Sequence, residues 1–68
     1  MSVAQGESLA RKREVLRRTG LSNSQLYRLI AAGRFPRPVS IGDRAVAFVC
    51  SEVDQWVAQR IAERGTRE

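Results

Sequence analysis

Apolar residues fall into short clusters along this chain, and each cluster has its own period. Between Arg11 and Arg18, Val15 and Leu16 share one face while Arg17 and Arg18 turn away from it, which predicts a short first helix from near Arg13 to just before Gly20. Leu26, Leu29 and Ile30 recur at i, i+3 and i+4 and predict a second helix. Ser22 and Gln25 stand at the spacing of a capping box at its start, Gly33 is placed to close it, and Pro36 stops it from continuing. Val39-Ser-Ile41 and Ala45-Val-Ala-Phe-Val49 predict two strands around Gly42-Asp43-Arg44, with Gly42-Asp43 as the two-residue hairpin turn. Val39, Ile41, Val46 and Phe48 are expected on the core face. Val53, Trp56, Val57 and Ile61 then trace a third helix to about Arg64, opened by a second box-like cap in Ser51-Glu-Val-Asp54, with Trp56 as the largest anchor of the core.

The first two helices meet at Thr19-Gly20-Leu21. Gly20 lets the chain leave the first helix with a positive φ, and Leu21 can tuck into the angle between the helices, the layout of a helix-turn-helix. With the hairpin following, the expected fold class is mainly α with a small β-hairpin: a winged helix-turn-helix of three helices plus a wing. Residues 1–8 read as a flexible N-terminal arm, 9–64 as one winged helix-turn-helix DNA-binding domain and 65–68 as a C-terminal tail. A 68-residue chain buries only roughly 60% of its unfolded surface, so each short helix depends on tertiary packing.

Charge changes the picture from fold to partner. Residues 11–44 carry nine basic side chains against Glu14 and Asp43, a local balance of +7, while the segments on either side are each at −1. Positive charge concentrated on one part of a small domain is the footprint of a surface that meets phosphate. In a helix-turn-helix the N-terminal half of the second helix enters the major groove, which puts Asn23, Ser24, Gln25 and Arg28 where base edges are read. Asn or Gln pairs bidentately with adenine and Arg with guanine. Lys12, Arg13, Arg17, Arg18 and Tyr27 are the candidates for backbone phosphates, Tyr27 having half-buried packing as its alternative role. Arg37 and Arg44 are the cations of the wing, Arg44 at its tip.

Catalysis is hard to build from what remains. Histidine is absent, the carboxylates are scattered, the serines have no base partner and no Gly-rich phosphate loop occurs, so no catalytic residues, no cofactor and no small-molecule ligand are expected. One cysteine, Cys50, forms no internal disulfide and cannot complete a metal site without histidine or a second thiol; it reads as a small apolar filler at the end of a strand. The apolar runs are too short for a membrane span and the N-terminus lacks the apolar core of a signal peptide, so the expected location is cytoplasmic and nucleoid-associated.

Glu14-Val-Leu-Arg-Arg-Thr-Gly-Leu-Ser, Leu26-Tyr-Arg-Leu-Ile, Gly33-Arg-Phe-Pro-Arg-Pro-Val, Gly42-Asp-Arg-Ala-Val-Ala and Ser51-Glu-Val-Asp-Gln-Trp-Val occur in that order. From about residue 9 to residue 62 the chain thus resembles the AlpA family of small prophage-associated regulators, similar in turn to the MerR DNA-binding domain and to phage excisionases. The resemblance implies sequence-specific binding of double-stranded DNA, the second helix in the major groove, the hairpin as wing, and control of prophage integrase or excision genes. Phe48 stands where that family often has Trp, and Lys12 where it often has an apolar residue. Val49 and Cys50 replace polar residues, adding apolar surface that a dimer or filament contact through the strand edge or the third helix would bury.

The expected function is a transcriptional regulator. An excisionase-type architectural factor, acting as a cooperative array of copies beside an integrase, is the alternative on the same fold. A phage protein-interaction module that uses its basic face against an acidic protein is the alternative from another class.

Overall fold

A computed structural model describes residues 7–67, with side chains placed for residues 7–64. The chain order is β1 (Leu9–Ala10), α1 (Lys12–Thr19), α2 (Asn23–Ala31), β2 (Val39–Gly42), β3 (Ala45–Val49) and α3 (Cys50–Arg67). The elements form the expected winged helix-turn-helix. The turn between α1 and α2 is closed by Gly20 in the left-handed conformation (φ 77°), its amide donating to the Leu16 carbonyl. Thr19 reinforces it: its hydroxyl donates to the Val15 carbonyl and accepts from the Leu21 amide. A Cβ at Gly20 would meet nothing within 4 Å, so backbone conformation and not crowding requires glycine there.

Both ends of α2 are sealed. The Gln25 amide donates to Ser22 Oγ at 3.2 Å and the Ser22 amide donates to Gln25 Oε1 at 2.9 Å, completing the capping box. At the other end Gly33 (φ 73°) donates to Ile30 and Arg34 to Leu29, the paired bonds of a Schellman motif. The chain beyond is pinned to α3, because the Trp56 indole N–H donates to the Arg34 carbonyl at 2.9 Å.

The core gathers Ala10, Val15, Leu26, Phe35, Phe48 and Val53, with Leu16, Leu21, Leu29, Ile30, Cys50 and Trp56 packed partly buried around it. Phe35, which no periodic pattern marked, is buried in it, edge-on to Phe48 at 5.9 Å and to Trp56 at 5.0 Å between ring centroids. Trp56 is therefore the flank of an aromatic trio and not its buried centre.

The sheet has the order β1-β3-β2, all antiparallel. β1 was not anticipated: two residues have no period, and only pairing of Leu9 with Val49 and Ala10 with Phe48 makes them a strand. The Cys50 amide extends the seam by donating to the Ser8 carbonyl. Val49 and Cys50 are partly buried within this one chain, so neither requires a second copy to cover it.

The hairpin corrects two expectations. Its turn residues are Asp43 and Arg44, not Gly42 and Asp43, since Gly42 pairs with Ala45. Ser40 pairs with Val46, which leaves Ile41 as a bulge that breaks the strand's alternation. Val39, Ile41 and Val46 are exposed, and burial in the hairpin falls on Ala47 and Phe48. In α3 the helix begins at Cys50, so Ser51 is inside it and its hydroxyl donates to the Glu7 carboxylate instead of capping. The helix also runs three residues past the expected end at Arg64, and Ile61 lies exposed where it has left the core behind.

Candidate nucleic-acid interface

On α2, burial of Leu26 with Leu29 and Ile30 turns Ser24, Tyr27, Arg28 and Ala31 outward, flanked by Asn23 on one side and Gln25 on the other. Asn23, Ser24, Gln25 and Arg28 are all exposed, so the predicted base-reading set is accessible as one surface. The members differ in freedom. Gln25 Oε1 already accepts the Ser22 amide, and bidentate pairing with adenine needs that same oxygen as well as the amide NH2. While the cap is intact that oxygen is turned toward Ser22, and the NH2 group is the part of the amide left uncommitted among the described residues. Asn23, Ser24 and Arg28 carry no such commitment among the described residues.

Tyr27 is exposed rather than half-buried, and it joins α2 to the start of α1. Lys12 Nζ lies 5.2 Å from the Tyr27 ring centroid and donates to its hydroxyl at 3.4 Å. The contact holds an ammonium and a phenol side by side on the rim of the α2 surface, a pairing suited to neighbouring phosphate oxygens.

The outer face of α1 is organised by carboxylates. Glu14 accepts from Arg17 through both oxygens, Nε at 3.1 Å and Nη2 at 2.5 Å, and Arg18 Nε approaches the same carboxylate at 3.3 Å. Arg18 Nη1 then reaches Asp54 on α3 at 3.1 Å. Hydrogen bonding from Arg17 is the main reason the Glu14 carboxyl is held below its ordinary range, and the same bond raises the Arg17 guanidinium above its own. Arg18 thus links α1 to α3, and Arg17 is paired with Glu14. Among the described residues, Arg13, Arg28, Arg37 and Arg44 make no ion pair.

At the hairpin tip Arg44 is the one residue other than glycine with positive φ (59°) among the described residues, and it is exposed. Such a conformation disfavours an L side chain by roughly 1–2 kcal/mol. Sequence reasoning found Arg44 by its position and charge but had no signal for its backbone, because the bulge at Ile41 sets the turn. No helix among the described residues is long and apolar enough to cross a membrane.

Comparison with known proteins gives the surface a context. A family model described as "Prophage CP4-57 regulatory protein (AlpA)" matches residues 8–61. The chain is also similar to "Uncharacterized protein ORF88" of Enterobacteria phage P4, 48% identical over 58 residues, which cover 85% of this chain and 66% of that relative. No solved structure matches.

Proposed function

This chain belongs to the AlpA family of prophage regulatory proteins, and from that premise we propose that it is a sequence-specific double-stranded DNA-binding transcriptional regulator. α2 enters the major groove, and the β2–β3 hairpin is a wing on the adjacent groove or backbone. The observation that carries this reading is the outward face of α2, where Asn23, Ser24, Tyr27 and Arg28 are exposed together on a helix capped at both ends. Arg28 reads guanine through O6 and N7, Asn23 and Ser24 meet the flanking base edges, and Gln25 adds the N–H donors of its side-chain amide. Lys12, Arg13 and Tyr27 fix the register on phosphate, and Arg37 and Arg44 do so from the wing.

Five of these cations, Lys12, Arg13, Arg28, Arg37 and Arg44, have no carboxylate partner among the described residues. If all five displace counterions, log K falls against log salt with a slope of about −4.5. Titrating salt into a complex with a labelled duplex measures that slope. A salt-insensitive or undetectable interaction would turn the basic face into a protein-binding surface and favour the interaction-module alternative.

One observation favours a second reading, the excisionase-type factor that loads beside an integrase. Val39, Ile41 and Val46 are all exposed on the hairpin, apolar area that a neighbouring copy could cover. A lone module of this size covers only about 600–1,000 Å² on DNA, so a second copy would strengthen occupancy. Tandem direct repeats in the bound DNA would select this reading; a single or palindromic promoter site would select the regulator.

A further inference from the structure

The carboxylate of Glu14 occupies one edge of the Arg17 guanidinium, an edge that a DNA phosphate would otherwise take. Its two oxygens take Nε and Nη2 of the guanidinium side-on, the fork geometry by which arginine also holds phosphate. Glu14 itself is fixed twice over. It lies in the first turn of α1, where the helix dipole favours an anion, and its Oε2 is shared with Arg18, which is held in turn by Asp54 on α3. The result is a chain of alternating charges, Arg17–Glu14–Arg18–Asp54, running from the outer face of α1 to the N-terminal part of α3.

Resting on the DNA-binding reading above, we infer that Glu14 is a specificity-determining residue that withholds Arg17 from phosphate and so suppresses binding to non-cognate DNA. An exposed ion pair is weak, so it does not lock the side chain. It does make a phosphate compete for Arg17 at every encounter, and the competition bears hardest on complexes that have nothing but phosphate contacts. A complex set in register by base contacts from α2 keeps Arg17 on Glu14 and forgoes little. Non-specific affinity depends wholly on how many cations are free to release counterions, so removing one from that pool lowers it directly.

The test is a double-mutant cycle on full-length protein, comparing wild type, Glu14→Gln, Arg17→Gln and the double variant. Each is titrated with a random-sequence duplex and with a duplex recovered by selection. Glu52→Gln, on the exposed side of α3, controls for the change in net charge. Glu14→Gln is expected to tighten random-duplex binding by about threefold to tenfold, to steepen its salt slope by about 0.9, and to narrow the ratio of selected to random affinity. The same substitution in the Arg17→Gln background should do neither, and Glu52→Gln should fall well short of it. An equal gain with and without Arg17, or no gain over Glu52→Gln, overturns the role of Glu14 while leaving DNA binding intact. Wild-type protein that retains neither duplex in a salt-sensitive way overturns the DNA reading and this inference with it.

Discussion

At the scale of single residues, the candidate surface separates side chains that hold the helix from side chains left free to read DNA. Ser22 belongs to the first group: Ser22→Ala removes the oxygen that takes the Gln25 amide, and an equilibrium urea unfolding curve should show a loss of about 1 kcal/mol. Arg28 belongs to the second. Arg28→Ala should leave that curve nearly unchanged and weaken binding by about 1–3 kcal/mol, concentrated at particular base pairs in a panel of substituted duplexes. Arg44 belongs to neither: it stands in the hairpin turn with a left-handed backbone that is unfavourable for any side chain. Arg44→Gly should therefore raise stability by up to about 1 kcal/mol, or leave it unchanged, while lowering DNA affinity. A fall in stability would mean that the arginine side chain packs favourably in the turn. The capping box and the turn glycines were legible in the sequence because each acts through its own backbone within a few residues. The commitments of Arg17 and Arg18 were not, since Arg18 meets Asp54 across 36 positions of chain. Helical spacing offered Glu14 to both arginines without saying that they would take it.

Among the elements, the helices were legible and the sheet was only half so. Periods of apolar residues mark α1, α2 and α3 because each buries one face, whereas β1 exists through its pairing with β3 alone. Phe35 escaped for a related reason: it lies in the irregular stretch after α2, where no period applies, yet it joins that stretch to β3 and α3 through Phe48 and Trp56. Removing it should be severe. Phe35→Ala is expected to lose about 3–5 kcal/mol, comparable to the whole stability a core of this size supplies, so circular dichroism should find the chain largely unfolded at room temperature. Phe35→Leu should retain the fold. On α1 the Glu14 network adds a pH dependence whose sign follows from its lowered carboxyl. The unfolded chain takes up the proton first as pH falls, so the stabilisation is whole above the ordinary carboxylate range and disappears through the acid range beneath it. Thermal midpoints of wild type and Glu14→Gln should differ near neutrality and converge in strong acid.

For the whole molecule, the charge distribution visible in the sequence survives folding, but its effective size does not. The basic segment 11–44 holds nine cations, of which Arg17 and Arg18 are engaged by Glu14 and Asp54, so the field offered to DNA is smaller than the sequence total suggests. Of the rest, Arg28 lies on the outward face of α2, Lys12 is held against Tyr27 and Arg44 stands in the hairpin turn. The account stands on the claim that this surface reads a sequence. Selection of bound duplexes from a random library at near-physiological salt, followed by sequencing, tests it most directly. The account predicts enrichment of a defined motif that is degraded when Arg28 is replaced. Recovery of no motif, with the pool as diverse after selection as before, would contradict it.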